Sequence, residues 1–383
     1  MKVGIIFYNL GGYHLARVES ARDVCQQHGL EYFAVEIAGR TDEHPWGNLE
    51  KPSFVHTLED AGERTPTLKN NRLLLDYLDS EKPDFLAIPG WGFNFARAAL
   101  RWCQKNNCHA ILMSESKYDD CKRGMLKEKI KKHLYLKKFS AAIVGGQKHR
   151  SYLEGMGFEP KKIFYGYDVV DNRYFDRARR TAGVPRPEQI PNRPFFLTAS
   201  RFLPRKNIPM LIRSYAKCVT TESPASAYDL VLLGDGSATE RQSINEEIKA
   251  HGMQSRVHQI GFVTYAEVLS WYKYASALVH PALSEQWGLV VNEAMAAGLP
   301  VAVSDRCGCI PELVEEGING FTFEPAALPS IAEALDKLAT ADLKLLGENS
   351  YEIINNRFSP EEFGNGLIGA VNAAASPTAL IRT

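Results

Sequence analysis

SEQWGLVVNEAMAAG, residues 284–298, contains two carboxylates, Glu285 and Glu293, on either side of Gly288. Small and apolar residues follow the glycine at helical spacing, so a helix is expected to begin there. The backbone N–H groups of a helix's first turn have no partners within the helix, and they lie at the positive end of its dipole. The segment therefore predicts an anion site, for which phosphate is a common occupant.

The spacing of the two acids limits what they can do. If the segment is fully helical, the Cα atoms of Glu285 and Glu293 lie about 12 Å apart. An acid/base pair on one glycosidic bond needs carboxyl groups about 5–9 Å apart. The acids are better suited to holding two parts of one ligand with a central diphosphate, a ribose and a second sugar, because carboxylates accept hydrogen bonds from paired hydroxyls. The alternative is a capped helix with one solvated and one buried glutamate.

Two other segments of the same half follow predicted strands. SRFLPRKN, residues 200–207, supplies the cations Arg201 and Lys206, which could neutralise a diphosphate. A solvated basic loop is the alternative for this segment taken alone. A later predicted strand, VHQIG, is followed by candidates to line a nucleobase pocket. These are Gly261, Phe262 and Val263, through their backbone or side chains.

The glycine pair at residues 234–236, GDG, is interpreted as a tight turn between a strand and a helix. Thr239 stands where a dinucleotide fingerprint needs its third glycine, and no G-x-G-x-x-G follows the first strand. A nicotinamide-dependent dehydrogenase is therefore disfavoured.

The first half of the chain offers two candidate loops. NLGGY, residues 9–13, is a glycine-rich turn through which the backbone could approach a phosphate or sugar, although a plain tight turn is equally compatible. MSESKYDDCKRG, residues 113–124, loads charged side chains into a loop after another strand, although such loops are often only solvated. Gly11 and Gly12 are the candidates to contact that phosphate or sugar. The second loop is a candidate catalytic or acceptor loop, with Glu115 for the first role and Asp119 and Arg123 for the second.

Bulk properties restrict the class of protein. A chain of 383 residues is expected to form two domains, and 45 Lys+Arg balance 45 Asp+Glu, so no overall charge favours nucleic acid. No run of about 18 apolar residues occurs, and MKVGIIFYNLGG is interpreted as a buried first strand and not as a signal peptide. Seven cysteines without a C-x-x-C pair argue against a zinc site and a disulfide framework. We expect a cytoplasmic protein with no metal, no cofactor and no nucleic-acid partner.

Short apolar runs alternate with helical patterns on both sides of a proline-rich segment. This alternation predicts an α/β protein with two doubly wound parallel sheets and a ligand site in the cleft between the domains, at the carboxyl ends of the strands. The predicted ranges are 1–175 for the first domain, 176–193 for a linker, 194–358 for the second domain, and 359–383 for a C-terminal helix that packs back on the first domain.

Residues 122–138, KRGMLKEKIKKHLYLKK, predict a basic amphipathic helix with eight Lys/Arg and one Glu. Such a helix could contact an anionic membrane surface as a peripheral partner. Its apolar stripe could equally be an ordinary core face.

Taken together, these motifs resemble the retaining glycosyltransferases of family 4, which have the GT-B fold of two Rossmann-like domains. The resemblance rests on the E-x7-E spacing of Glu285 and Glu293, on the Arg201 and Lys206 pair, and on three further stretches. These are LVLLGDG, GCIPELVEEGINGFTFEP and YDVVDNRYF at residues 167–175. The resemblance covers nearly the whole second domain and, more loosely, the first.

The resemblance implies a nucleotide-sugar donor, with Arg201 and Lys206 on the diphosphate, Glu293 on the ribose and Glu285 near the donor sugar. It also implies transfer with retention of configuration and without a metal, and no Asp-x-Asp occurs in the chain. The donor contacts expected on this basis are Gly11, Gly12, Arg201, Lys206, Gly261, Phe262, Val263, Gln286, Trp287, Gly288, Leu289, Val290 and Glu293.

The chain departs from the family pattern at two places. Many members carry a His near the donor sugar where this chain has Ser114–Glu115–Ser116, so Glu115 is the candidate to stabilise positive charge on the sugar ring or to bind a donor hydroxyl. Gln286–Trp287 stands where Gly–Phe is frequent, and this is expected to change the wall of the donor pocket.

The predicted function is sugar transfer from a UDP-sugar to a hydroxyl of a saccharide or lipid-linked saccharide during surface glycan assembly. Two enzyme alternatives of the same fold are a nucleotide-sugar epimerase and a phosphorylase. A third alternative is a non-catalytic sugar-nucleotide binder that regulates a partner. The expected location is the cytoplasm, with the inner membrane face as a site of peripheral contact.

Overall fold

The computed structural model describes residues 1–40, 51–61, 68–120, 131–180 and 183–375. The chain divides into two compact units. The first comprises Met1–Asp171 and the segment that begins at Ser359, and the second is Asn172–Phe358. Each unit has its own parallel sheet.

The first unit is a doubly wound α/β domain. Its strands are β1 (Lys2–Phe7), β2 (Glu31–Arg40), β3 (Val55–Ala61), β4 (Phe85–Pro89), β5 (His109–Ser114), β6 (Ala141–Val144) and β7 (Ile163–Phe164), and its first helices are α1 (Gly12–Gln27), α2 (Leu68–Glu81), α3 (Asn94–Lys105) and α4 (Gln147–Gly155). The strand order is β3-β2-β1-β4-β5-β6-β7, with every pair parallel. The order reverses between β1 and β4, so the loops after these strands are neighbours at the carboxyl edge of the sheet.

The second unit repeats this plan. Its helices are α5 (Asn172–Arg180), α6 (Ile208–Thr220), α7 (Ala238–Ala250), α8 (Tyr265–Tyr274), α9 (Leu289–Ala296), α10 (Leu328–Thr340) and α11 (Leu343–Arg357), and its strands are β8 (Phe195–Ala199), β9 (Asp229–Leu233), β10 (Val257–Gly261), β11 (Ala277–His280), β12 (Val301–Ser304) and β13 (Gly320–Phe323). The strand order is β10-β9-β8-β11-β12-β13, again all parallel. The reversal here lies between β8 and β11.

Local sequence explains where these elements form. Central strands such as β6 and β9 are buried along their whole length, which is why they appear in the sequence as continuous apolar runs. Two helices of the second unit begin with a capping box: Ser237 with Glu240 at α7, and Thr264 with Glu267 at α8. In each pair, the hydroxyl and the carboxylate satisfy backbone N–H groups that the helix itself leaves unpaired.

The last helix, α12 (Pro360–Ala375), belongs to the first unit. It packs along α1 and against β6. Gly364 allows the two helices to approach closely, because a Cβ there would lie 2.6 Å from Val24 Cγ2. The chain thus returns to its first domain after completing the second.

The boundary between the units falls at Asp171 and not at the predicted residue 175. The difference arises because residues 172–180 form α5, which packs against α8 and α9 of the second unit. Part of the predicted linker 176–193 is therefore helical, and the proline-rich part begins only after α5. The elements β2, β3 and α2 were not predicted from the sequence.

The described residues were compared with what membrane spans, disulfides and metal sites require. Among the described residues, no helix is long and apolar enough to cross a membrane. Six of the cysteines lie in the described ranges, and all six are buried and free of disulfides. In the same ranges, no group of three or more His, Cys, Asp or Glu side chains is placed to hold a metal ion.

Candidate functional site

The second unit brings two predicted site loops together. One follows β8 and contains residues 200–207, and the other follows β11 and contains residues 281–288. Because β8 and β11 are adjacent and parallel, both loops leave the same edge of the sheet at its point of reversal. Open α/β sheets bind ligands at this position.

The loop after β8 is fixed by Asn207. This residue adopts a left-handed conformation, with φ of 61°, at the start of α6. Its buried amide donates hydrogen bonds to the carbonyls of Pro281, at 3.1 Å, and Pro325, at 2.8 Å. These bonds hold the cations of the loop beside the segment after β11.

Glu285 is the centre of an ion cluster in this region. Lys206 Nζ donates to Glu285 Oε2, and Arg205 Nη1 lies 3.2 Å from the same oxygen. The side chains of Lys206 and Glu285 are each only 12% exposed. His280, at the end of β11, is almost fully buried and places Nε2 3.5 Å from that oxygen. Arg205 and His280 were not singled out in the sequence, although Arg205 lies in the basic segment that was.

The pKa values in this cluster reflect burial and charge. Burial favours the neutral acid at Glu285, but His280 and Lys206 outweigh it and hold the pKa of Glu285 below its usual value. Burial lowers the pKa of Lys206, and the neighbouring Glu285 opposes that shift. Burial also lowers the pKa of His280. Glu285 is therefore ionised at neutral pH, as a carboxylate paired with cations.

Helix α9 begins where the sequence predicts. Gly288 is its N-cap, with φ of 109°, a conformation that glycine adopts without a Cβ penalty. The loop before it is fastened to a neighbouring segment, because Gly308 N–H donates to Glu285 O at 3.1 Å and Cys309 N–H donates to Trp287 O at 3.2 Å. The first-turn N–H groups of α9 thus lie beside Glu285 and its cations.

Trp287 does not form a pocket wall with its side chain, contrary to expectation. The indole is 1% exposed and donates through Nε1 to Asn292 Oδ1 at 2.8 Å. Its ring also lies 6.0 Å from that of Phe358, so it is part of the core beneath α9. Gln286 beside it is exposed, and Leu289 and Val290 are partly buried. A core position explains the Trp, because a large aromatic side chain there supports the helix start.

Glu293 lies inside α9, as predicted, and has an environment unlike that of Glu285. Tyr272 Oη donates to Glu293 Oε2 at 2.7 Å. Burial raises the pKa of Glu293 to about 7, against the opposing effect of the tyrosine hydrogen bond. This carboxyl therefore changes charge near neutral pH. Tyr272 is a further residue that sequence analysis did not identify.

The predicted nucleobase residues lie at the end of β10. Gly261 has φ of 91°, and its carbonyl accepts a hydrogen bond from Gly234 N–H at 2.8 Å. Phe262 is 57% exposed, and Val263 is partly buried. Both line a hollow of about 380 Å³, whose other lining residues include Pro185, Pro187 and Trp271. Arg201, the remaining predicted donor contact of this unit, is exposed just after β8.

In the first unit, the glycine-rich loop after β1 is anchored on both sides. Leu10 N–H donates to Glu36 Oε2 at 2.9 Å, and Glu36 is fully buried. Gly11 N–H donates to His14 Nδ1 at 3.2 Å, and α1 starts at Gly12. The two predicted glycines thus form the entry to a helix, with the backbone held in one conformation.

Glu115 follows β5 and contacts a buried carboxyl that the sequence analysis did not single out. Burial and the neighbouring Glu115, which is also a hydrogen-bond partner, raise the pKa of Asp168 well above its usual value. Arg17 partly offsets this rise, with Nη2 3.7 Å from Asp168 Oδ1. Arg17 also donates through Nε to Val169 O at 3.0 Å. Asp168 is therefore the member of this carboxyl pair that is held as the neutral acid at neutral pH.

Of the two acceptor candidates, Asp119 lies within the described residues and Arg123 does not. Lys117 Nζ donates to Asp119 Oδ1 at 2.6 Å, and this bond contributes to lowering the pKa of Asp119 against the effect of burial. Arg123 lies outside the described residues, as does the first part of the basic segment 122–138. Residues 131–134 of that segment are helical, and Leu136–Lys138 form a short 3-10 helix.

Solved structures share this architecture. A glycosyltransferase from Rickettsia africae matches 100% of this chain and 99% of its own, with a TM-score of 0.71 and 14% identity. Sucrose-phosphate synthase from Thermosynechococcus elongatus matches 98% of this chain and 100% of its own, with a TM-score of 0.72 and 18% identity. The Anabaena protein HepE, in complex with UDP and glucose, matches 97% of this chain and 100% of its own, with a TM-score of 0.69 and 16% identity. The fold is GT-B, with two Rossmann-like domains.

The second unit also has a recognisable family signature. Residues 184–355 match the family model of Glycosyl transferases group 1. The matched residues include Lys206, Glu285 and Glu293.

Curated relatives are similar over the same part of the chain. An uncharacterized glycosyltransferase of Methanocaldococcus jannaschii is 31% identical over 160 residues, which are 42% of this chain and 38% of that protein. The alpha-D-kanosaminyltransferase of Streptomyces kanamyceticus is 26% identical over 197 residues, 51% of this chain and 49% of that protein. A D-inositol 3-phosphate glycosyltransferase of Streptomyces griseus is 29% identical over 173 residues, which are 43% of this chain and 34% of that protein. The chain thus matches less than half the length of each of these relatives.

Proposed function

We propose that this protein is a retaining, metal-independent glycosyltransferase that moves a sugar from a UDP-sugar to a hydroxyl of a saccharide or lipid-linked saccharide. The observation that carries the proposal is the cluster of Glu285 with Lys206 and Arg205 beside the start of α9. It lies at the point of sheet reversal in a domain that matches a glycosyltransferase family. A pair of cations, a sugar-binding carboxylate and an anion-binding helix start are what a nucleotide sugar requires.

Each part of the donor has a proposed partner in the second unit. Lys206, Arg205 and the first N–H groups of α9 bind the diphosphate, with Arg201 as a further cation. Glu293 accepts hydrogen bonds from the ribose hydroxyls, and Glu285 accepts them from the donor sugar. Backbone and side chains at residues 261–263 contact the nucleobase. The choice of UDP is supported by solved proteins of the same fold, such as HepE, which was crystallised with UDP and with UDP-glucose.

The chemical step breaks the bond between the anomeric carbon and the diphosphate oxygen and forms a bond to the acceptor oxygen on the same face. The acceptor proton passes to an oxygen of the departing diphosphate. Negative charge on that leaving group is stabilised by Lys206, Arg205 and the amides of α9, so the proposed reaction needs no metal. In the first unit, Glu115 stabilises positive charge on the sugar ring or binds a donor hydroxyl, and its hydrogen bond with Asp168 positions it.

The proposed setting is glycan biosynthesis in the cytoplasm. Basic residues of the segment 122–138 would then allow peripheral contact with an anionic membrane that holds a lipid-linked acceptor. In the described part of that segment, Leu134 is 50% exposed, which suits contact with a surface.

A thermal-shift screen of nucleotide sugars tests donor binding directly. A ligand that binds only the folded protein stabilises it by RT ln(1 + [L]/Kd), so the preferred donor should give the largest shift. Lys206→Ala should lose that shift, while Lys249→Ala, which removes an exposed lysine on α7, should keep it. Equal shifts in wild type and Lys206→Ala, or no shift with any nucleotide sugar, would contradict the proposal.

A further inference from the structure

Aromatic side chains gather at the point of sheet reversal in the first unit. Tyr8 follows β1, and Trp91 and Phe93 follow β4, the strand next to β1. We call these three residues the aromatic shelf. The carboxyl edge at a strand reversal is where open α/β sheets bind ligands, so the shelf occupies a favoured ligand position of its own unit.

The shelf presents stacked rings that are accessible to solvent. Phe93 is 42% exposed. Its ring stacks on that of Tyr8, with centroids 5.7 Å apart and planes 18° apart, and on that of buried Phe95 at 5.2 Å and 16°. Trp91 stacks on Tyr135 with an interplanar angle of 7°. Phe93 is thus supported on one side by the core, while part of its surface remains open.

The loop that carries the shelf is held in place before any ligand binds. Arg97 Nη1 donates to the carbonyls of Trp91, at 2.9 Å, and Gly92, at 2.8 Å. Gly90, with φ of 64°, turns the chain, and its N–H donates to Met113 O at 2.9 Å. An exposed aromatic ring on a loop fixed by hydrogen bonds from a charged side chain and from the backbone is preorganised for binding, since little conformational entropy is lost when a ligand stacks on it.

We propose that the aromatic shelf is the acceptor subsite and that it stacks on a saccharide ring. This inference rests on the proposed function, because it names the ligand class that accepts the sugar. A pyranose has a face of C–H groups that packs on an aromatic plane and a rim of hydroxyls that needs polar partners. Asn94 is exposed beside the shelf, and Glu115 follows β5, the strand next to β4. Apolar surface with a few polar groups is typical of small-ligand sites.

The same observations favour a sugar over an acyl chain. An acyl chain would need a continuous apolar groove, whereas the exposed residues between and after the shelf aromatics are Gly92 and Asn94. A single stacked plane with a polar border is matched by one sugar ring. A lipid-linked acceptor would accordingly be held here by its saccharide part.

The test is saturation-transfer NMR on the full chain without donor, with methyl glycosides of glucose, galactose and N-acetylglucosamine as probes. Phe93→Tyr keeps the aromatic plane and should bind as wild type does. Phe93→Leu keeps an apolar side chain but loses the plane, and should bind about five- to tenfold more weakly. Leu345→Ala removes an exposed apolar side chain of the second unit and should have no effect.

The outcomes separate this inference from the proposed function. Equal binding by wild type and Phe93→Leu, or no binding of any glycoside by wild type, overturns the shelf assignment. Octyl glycosides of the same sugars serve as further probes, and Phe93-dependent binding that requires the octyl chain and not the sugar overturns the saccharide in favour of a lipid. In transfer assays, Phe93→Leu should raise the acceptor KM with kcat and donor affinity unchanged. Phe93-dependent glycoside binding without transfer from any donor would contradict the transferase and leave the subsite in place.

Discussion

Two glutamates eight positions apart have opposite electrostatic environments. Lys206, Arg205 and His280 surround Glu285, and His280 and Lys206 keep it ionised against the effect of burial. Glu293 is partly buried, with Tyr272 as its hydrogen-bond donor. Glu285 therefore contributes a constant negative charge. In the proposed donor complex, Glu285 and the diphosphate share the same cations. Glu293 is the group whose charge changes near neutral pH, since burial raises its pKa to about 7.

Donor affinity should therefore depend on pH through Glu293. A carboxylate accepts hydrogen bonds from both ribose hydroxyls, and the protonated acid has lost part of that capacity. Because the pKa is about 7, affinity should fall as the pH is lowered, by up to about tenfold from pH 8 to pH 6. Calorimetric titration with UDP-glucose measures this, because its diphosphate does not change charge near neutral pH.

Glu293→Gln is the matched control. The variant should bind more weakly at pH 8 and show an almost constant affinity between pH 6 and pH 8. The pH dependence of its stability should also differ. The raised folded-state pKa of Glu293 makes wild type less stable as the pH rises from about 4.5 to 7, and the glutamine variant should lack this loss. A pH profile of donor binding that is the same in both proteins would remove Glu293 from the ribose site.

Among the structural elements, the turns after parallel strands position the site. Gly234 ends β9 with φ of 126°, and a Cβ there would lie 1.8 Å from the carbonyl oxygen of Ser200. The sequence reading of GDG as a tight turn, and not a dinucleotide fingerprint, agrees with this geometry. This close approach of Gly234 to Ser200 places the start of the basic segment 200–207 against the turn after β9.

Gly234→Ala should therefore destabilise the second unit by about 3 kcal/mol, through both steric overlap and a strained φ. Gly252→Ala is a control that separates these causes, because Gly252 has φ of 67° but open space around its Cβ position, so only about 1 kcal/mol is expected. Denaturant unfolding of both variants gives the comparison. Equal losses would mean that backbone strain alone, and not the contact with Ser200, makes glycine necessary.

For the whole molecule, sequence periodicity and motifs predicted two doubly wound domains, the start of α9 and the placing of Glu285 before it and Glu293 within it. They did not predict β2, β3 and α2, which lie in a region without a marked change of pattern. They also missed Arg17 and Asp168, because contacts between residues 151 positions apart depend on tertiary packing and leave no local signal. The core position of Trp287 was missed for the same reason. Sequence spacing does not show whether an aromatic side chain next to the site points into the core or into the pocket.

The return of the chain to its first unit leads to a prediction at this scale. Phe363 on α12 is fully buried, and its ring lies 6.3 Å from that of Tyr167. Phe363→Ala should destabilise the first unit by about 3–5 kcal/mol. Hydrogen exchange should then show lost protection in α1 as well as in α12, although these helices are at opposite ends of the chain. Asn365→Ala, an exposed change on the same helix, should leave α1 protected, and unchanged protection in Phe363→Ala would contradict the packing.

The most direct test of the account is acceptor-dependent release of UDP from the preferred donor by wild type, Glu285→Ala, Lys206→Ala and Lys249→Ala, with the anomeric configuration of the product read by NMR. We predict transfer with retention by wild type and Lys249→Ala. The other two folded variants should lose at least about a hundredfold in rate, as expected for removal of groups that stabilise the transition state. Full transfer by Glu285→Ala and Lys206→Ala, or conversion of the donor by wild type without any acceptor, would contradict it.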